Sequence, residues 1–344
     1  VPQHLSRRLP ETDGLTDHLY AGQWRNADGD RGGMPDESVH LWCPYEHRMN
    51  THVSLSAVEA ALRSWADAYG LLRDPSLAAR FDAARFGECA AFVYPDAPDL
   101  IIYAKWLAWL FVADDEFDEN RAPEAGGIDR GILQFLPLDG KDCAKATTGV
   151  TKALADLWPE LCQPMPLPLR VRFRAHADDY ARSYATDLSR ARTGSAPPLD
   201  AYLALRRSSG AVESCLDLIE RQPDAYLTPV IAESPRILAL REAANDVICW
   251  TNDVISLNKE MRHGEMNNLV AVIRQSVGMS WEAALEVAAE MNSARIRDFD
   301  RQQQTLLHFN DLPGLSEFIH GVQVWISGSL HWHRDSPRYA DQVL

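Results

Sequence analysis

From Ser54 onward, apolar residues recur every three or four positions rather than every second one, the repeat of a helix with one buried face. The period predicts helices over Ser54–Leu72, Pro75–Val93, Asp99–Glu119, Thr148–Cys162, Leu167–Arg192, Leu199–Arg221, Pro235–Arg262, Ser280–Leu307 and Leu315–His333. Ser54 is a candidate N-terminal cap for the first of them. Strand signals are almost absent, and Pro197, Pro198, Pro223, Pro229 and Pro235 fall between helices, where a residue without an amide N–H belongs. The Pro/Gly-containing stretch Arg121–Gly140 is a further break. Residues 1–38 are polar and turn-rich, most of all from Gly22 to Gly33, and are expected to form a mobile N-terminal extension. A short extended entry, His40 to Pro44, leads into the folded part. With no internal repeat and no composition shift, the expectation is one all-α domain of roughly ten helices, too many for a simple four-helix bundle.

Composition narrows what such a domain binds. Hydrophobic residues make up 46%, enough for a sizeable core, and the net charge of −15 argues against nucleic acid or an anionic membrane surface as partner. The most apolar run, Leu100–Ala113, is too short to span a bilayer and carries Lys105, so it reads as a buried core helix rather than a membrane insertion. Six cysteines stand singly with no CxxC pair, and the chain shows no basic-then-apolar targeting pattern; a reduced, cytoplasmic setting is expected. An anionic substrate would need metal ions or a few local arginines to offset the charge of the chain.

The apolar run ends in Asp114-Asp115-Glu116-Phe117-Asp118-Glu119, five acids in six positions. On a helix Asp114 and Asp118 share a face, and two carboxylates without nearby thiols or imidazoles are hard oxygen ligands suited to Mg²⁺. A solvated, acid-rich helix end is the other reading of this run alone. Far downstream, Asn252, Ser256 and Glu260 stand at i, i+4 and i+8 and so form one stripe. An amide oxygen, a hydroxyl and a carboxylate in a row make a second oxygen site, with Lys259 beside it to reach a phosphate. A polar surface stripe is the plainer reading, but the flanking Val247, Ile248, Trp250, Val254, Ile255 and Leu257 predict a largely buried helix, where polar groups need partners. Asn245-Asp246-Val247-Ile248 repeats the opening of this motif, but Cys249 and Asp253 occupy its later positions and cannot complete the set. The acidic segment Asp178-Asp179 with Asp187 is interspersed with Arg172, Arg174 and Arg182 and reads as a charge-laced helix face.

Together these motifs resemble those of the bacterial class I terpene synthases. Asp114-Asp115-Glu116-Phe117-Asp118 is similar to their aspartate-rich motif, and Asn252 to Glu260, lysine included, matches their second metal motif. Arg338-Tyr339 looks like the pair that closes the family's domain, and Trp42-Cys43-Pro44 with Asn50 resembles its N-terminal entry. The likeness covers residues 40 to 340 and implies a class I terpenoid synthase α-domain, helices around a central cavity, with the catalytic domain over 39–344. It implies three Mg²⁺ ions, with Mn²⁺ as a substitute, held by Asp114 with Asp118 on one side and by Asn252, Ser256 and Glu260 on the other.

The resemblance also implies a diphosphate-sensing arginine upstream of the second motif. Arg206 fits, with Ser209 as linker and Gly210 as effector at a helix break; the linker is often acidic in relatives, and Arg207 is the competing sensor. Lys259, Arg338 and Tyr339 would hydrogen-bond the diphosphate on closure, Asp115 would pair with Arg338, and Glu119 would belong to the rim. Phe111 is the first candidate for an aromatic wall facing a carbocation, followed by Phe86, Trp325 and Trp332, although core packing uses the same residues. The implied activity is ionisation and cyclisation of a linear isoprenyl diphosphate. Farnesyl diphosphate is favoured by family frequency, with geranylgeranyl diphosphate as the alternative. The resemblance leaves a homodimer open. A prenyltransferase would want a second aspartate-rich motif instead of Asn/Ser/Glu, and a non-enzymatic helical scaffold would use neither motif.

Overall fold

The computed structural model describes residues 39–73, 75–120, 131–141, 143, 145–191, 196–263, 266–308 and 312–339. The N-terminal segment 1–38 lies outside them. The described residues form helices α1 (Leu55–Ala68), α2 (Pro75–Ala84), α3 (Phe86–Val93), α4 (Leu100–Asn120), α5 (Gly149–Cys162), α6 (Leu167–Ala191) and α7 (Leu199–Ser209). They continue with α8 (Val212–Ile219), α9 (Pro229–Ala232), α10 (Pro235–His263), α11 (Leu269–Val277), α12 (Trp281–Leu307) and α13 (Leu315–Asp335). Two short 3-10 turns, Ile132–Phe135 and Pro223–Ala225, complete the described elements, and none of these is a strand. Among the described residues no helix is long and apolar enough to cross a membrane.

Most predicted helices are present, and the differences have local causes. Pro75–Val93 is two helices because Arg85 adopts a left-handed φ of 52°, which an α-helix cannot carry through. Leu199–Arg221 is likewise two, broken where Ala211 takes φ 55°. Helix α11 has no expected counterpart: Leu269 to Ile273 is a continuous buried apolar run, so its sequence shows no amphipathic period. Ser54 does occupy the cap position of α1, but its hydroxyl meets Ser56 Oγ at 3.0 Å and caps no backbone N–H. Thr148 and Thr151 form a reciprocal capping box on α5.

Helix α4 is the buried axis on one side. Trp106 and Trp109 stack at 5.3 Å and are fully buried. Their indole N–H groups donate to Ser214 Oγ (3.3 Å) and to the Val150 carbonyl (2.9 Å), so neither is left unsatisfied. Lys105, the one cation in this apolar run, reaches out to Glu160 at 3.7 Å and lies 5.7 Å from the Trp65 ring centre. Helix α10 is the axis on the other side, packed against α12, α13, α7, α8 and α11. Helix α13 links the two sides by packing on α10 and on α3, which in turn packs on α4. The α3–α13 contact is close because Gly328 has no Cβ; one built there would lie 2.4 Å from the Phe92 carbonyl oxygen.

A close contact fixes the residue just before the α7–α8 break. Gly210 has an ordinary helical φ of −73°, so the backbone would accept any residue, but a Cβ would stand 2.3 Å from Cys249 Sγ on α10. Below the break, a buried ionic cluster joins α6, α8 and α10. Asp217, fully buried, accepts from Arg172 (3.0 Å) and Arg241 (2.8 Å) and meets His176 Nδ1 at 2.6 Å. Arg241 also binds Glu213 at 2.9 Å and Glu220 at 3.3 Å. Burial on its own would raise the Asp217 pKa, but His176, Arg241 and Arg172 outweigh it and hold the carboxyl well below the usual range.

Two outcomes follow from this packing. G210A should lower stability by about 1–3 kcal/mol, and C249A in the same chain should recover most of it, read by denaturant unfolding of the four proteins in the cycle. The unfolded Asp217 carboxyl titrates near ~3.9 and the native one lower, so its contribution is complete above ~3.9 and is lost as pH falls below that. D217N should therefore cost about 3–5 kcal/mol at pH 7, because it strands buried arginines, and the gap to the unaltered protein should narrow below about pH 4. A gap that stays constant from pH 7 to pH 3 would refute this account.

Candidate active site

The acidic end of α4 and the polar stripe of α10 face one cleft, and the residues after α13 close it. Arg338 Nη1 and Nη2 donate to the two oxygens of Asp115 at 3.1 and 2.8 Å, a bidentate pair. Lys259 on α10 comes within 4.0 Å of the same carboxylate. Asp114 accepts from the Tyr184 hydroxyl on α6 at 3.4 Å. Burial, then the charge of Asp115, push Asp114 up to about 6. Burial disfavours the Asp115 anion too, but Arg338 overrides it and holds that carboxyl below its ordinary value. The side chains of Asp118 and Glu119 lie outside the described residues.

On α10, Ser256 Oγ donates to the Asn252 carbonyl at 2.6 Å and reaches Glu260 Oε1 at 2.5 Å. The second Glu260 oxygen accepts from Asn268 Nδ2 at 2.9 Å. Asn252 Oδ1 accepts from Arg206 Nη2 at 2.8 Å, and its Nδ2 lies 3.2 Å from Tyr339 Oη and 3.1 Å from His333 Nε2. The donors of this stripe are an amide oxygen, a hydroxyl and a carboxylate, with no thiol or imidazole among them. That set fits a hard divalent cation. Tyr339 thus touches the second motif while its neighbour Arg338 holds the first.

The two candidate sensors separate. Arg206 points into the cleft, with Nε on Asp253 Oδ1 at 2.9 Å and Nη2 on Asn252. Arg207 points away, bidentate to Asp246 at 2.7 and 2.8 Å and 2.9 Å from Glu242. Asp246 also binds Arg295 at 2.8 Å, and Asn245 donates to the Arg207 carbonyl at 3.0 Å. The incomplete copy of the motif therefore serves as a structural ion cluster. Ser209 follows on α7 with a buried hydroxyl that meets no hydrogen-bond partner among the described residues, and Gly210 sits at the break. The segment at Asp178 is an exposed helix pair with Arg182 at 2.6 Å.

The aromatic candidates divide as well. Phe111 stacks on Phe86 at 5.1 Å, lies 5.5 Å from Trp332, and carries the Arg338 guanidinium 4.9 Å from its ring centre. Phe86 and Trp332 are almost wholly buried, and Trp332 donates to the Ala84 carbonyl at 3.0 Å. Trp325, two turns earlier on α13, is edge-on to Tyr94 at 6.1 Å.

Several residues at the site escaped the sequence reading. Asp253 anchors Arg206, receives the Tyr202 hydroxyl and accepts from the Leu269 amide at 2.9 Å. Asn268 caps α11 through its own Oδ1 while binding Glu260, and an asparagine before an apolar run could have revealed that cap. Tyr184 and His333 carried no local signal. Burial, offset in part by the Ser329 carbonyl and reinforced by Arg338 and Arg206, pushes the His333 pKa down to about 4.

The profile described as "Terpene synthase family 2, C-terminal metal binding" matches residues 105–298, which include both motifs. The (+)-T-muurolol synthase of Roseiflexus castenholzii is 32% identical over 317 residues, 89% of this chain and 94% of that protein. The solved germacradien-4-ol synthase of Streptomyces citricolor is 26% identical, covers 87% of this chain and 98% of its own, and superposes with a TM-score of 0.71. The linalool/nerolidol synthase of Streptomyces clavuligerus, 22% identical, shares the fold with a TM-score of 0.77 over 86% of this chain and 100% of its own. The scaffold and prenyltransferase alternatives are thereby set aside: the chain belongs to the class I terpene synthases, enzymes that ionise an isoprenyl diphosphate.

Proposed function

We propose that the cleft ionises farnesyl diphosphate and cyclises the resulting carbocation to a sesquiterpene, releasing diphosphate, within a catalytic domain spanning 39–344. The observation that carries this reading is the oxygen stripe Asn252–Ser256–Glu260 facing Asp114 and Asp115, with Arg338 and Tyr339 joining the two. The choice of a C15 substrate is supported by the relative described as "(2E,6E)-farnesyl diphosphate cyclizing", which aligns over most of this chain.

Asp114, with Asp118, would hold two Mg²⁺ ions, and Asn252, Ser256 and Glu260 a third; Mn²⁺ would substitute. Held by those residues, the ions would neutralise the charge that collects on diphosphate as the allylic C–O bond breaks. The chain's own cations do the remaining binding. Arg206 and Lys259 stand at the α10 side of the cleft. Arg338 spends two N–H groups on Asp115, and its buried Nε–H has no hydrogen-bond partner among the described residues. Tyr339 adds a hydroxyl. Phe111 serves as a floor beneath Arg338, a cation–π contact of about 0.5–2 kcal/mol. The apolar residues around Phe86 and Trp332 keep water from the cation until the skeleton has formed.

Incubation of the purified protein with geranyl, farnesyl and geranylgeranyl diphosphates, with and without Mg²⁺, should give a cyclic C15 product from farnesyl diphosphate only when Mg²⁺ is present, read by mass spectrometry of the organic extract. A higher kcat/KM with geranylgeranyl diphosphate would overturn the substrate assignment. D114A and N252A should each reduce turnover by about 10²–10³-fold. R206M should fall similarly, whereas R207M, whose partner Asp246 retains Arg295, should keep most of the activity.

A further inference from the structure

We propose that His333 is a positioning residue that sets the direction of the Asn252 amide, so that its oxygen rather than its nitrogen is presented to the bound cation; this rests on the metal-dependent reading above. An asparagine side chain is nearly symmetric in shape, and only its neighbours decide which end faces the metal. Tyr339 cannot decide, because a hydroxyl both donates and accepts. An imidazole with a fixed tautomer can.

The His333 ring is fixed in that way. Its Nδ1 lies 2.6 Å from the Ser329 carbonyl oxygen one turn earlier, and a carbonyl only accepts, so Nδ1 carries the hydrogen. Nε2 is left with its lone pair, 3.1 Å from Asn252 Nδ2. The ring is buried and packed between Tyr339, stacked at 5.0 Å and 26°, and Trp332, edge-on at 5.0 Å and 77°. A flipped amide would set Oδ1 against that lone pair and turn its NH₂ toward the Arg206 guanidinium, now 2.8 Å from Oδ1. His333 and Arg206 therefore select the same orientation from opposite ends. The arrangement is that of a hydrogen bond behind a metal ligand, which orients the ligand without touching the ion.

The test is binding of inorganic diphosphate in the presence of Mg²⁺, followed by titration calorimetry on H333F and H333Q beside the unaltered protein. H333F keeps a ring between Tyr339 and Trp332 but removes the acceptor; its affinity should fall about 10–100-fold with little change in the Tm of the ligand-free protein. H333Q can turn its side-chain oxygen to Asn252 but can also flip, so it should recover only part of the loss. Wild-type affinity in H333F would overturn the inference, as would an equal loss in H333Q, which would point to packing alone. Failure of the unaltered protein to bind Mg²⁺ and diphosphate would instead overturn the functional reading and this inference with it. ¹⁵N spectra of the unaltered protein, with the ring assigned through its contacts to Trp332 and Tyr339, provide a check that needs no variant. They should show the Nδ1–H tautomer, and an Nε2–H or doubly protonated ring would refute the proposal.

Discussion

The structure depends on a charge problem that it solves at one place. A chain of net charge −15 belongs to a family that acts on an anion, yet two adjacent carboxylates stand at the end of its buried helix α4. The Asp115–Arg338 pair turns this into a workable site. Arg338 cancels one carboxylate bidentately, lies over Phe111, and fastens the segment after α13 to the end of α4. The Arg338 side chain is only 8% exposed, so removing Asp115 would cost this buried guanidinium its bidentate partner. The next residue, Tyr339, reaches Asn252 on α10. One short segment thus spans the cleft and sets the distance between its two oxygen-rich walls.

That segment is itself anchored far from the chemistry. The end of α13 is tied to the α2–α3 junction, where the Ala84 carbonyl accepts from both Trp332 Nε1 and Ser336 Oγ, and Arg85 donates to the Asp335 carbonyl at 2.6 Å. The left-handed backbone at Arg85 makes this possible by turning α3 onto α13. A break that interrupts the helical period in the sequence therefore has a positional role in three dimensions.

How much of this could be read beforehand follows from whether the signal is local. The long amphipathic helices and the i, i+4, i+8 stripe are local and were legible. Gly210 and the site of the α7–α8 break were legible only through resemblance, since the steric reason is Cys249, distant in sequence. Arg206 and Arg207 are neighbours with identical chemistry, and nothing in their local sequence says which faces the cleft. Their separation arises because α10 offers Asp253 to one and Asp246 to the other, one heptad apart. Helix α11 was missed because complete burial erases the polar face that periodicity needs.

The paired Asn-Asp copies on α10 show why similar motifs need opposite surroundings. At Asn245-Asp246 the acid is matched by two arginines and the amide is used up on Arg207 and Glu213, so the polar groups are satisfied within the protein. At Asn252-Asp253 the acid holds Arg206 and caps the α11 entry, while the amide is shared among Arg206, Tyr339 and His333 at the cleft itself. The first copy uses its ion pairs to fix α10 against α7 and α12. The second keeps its oxygens on partners beside the cleft, Asn252 on Arg206 and Glu260 on Ser256 and Asn268. Oxygens held in that way keep their places because the helix that carries them cannot shift, and a preorganised site needs that rigidity from its neighbours.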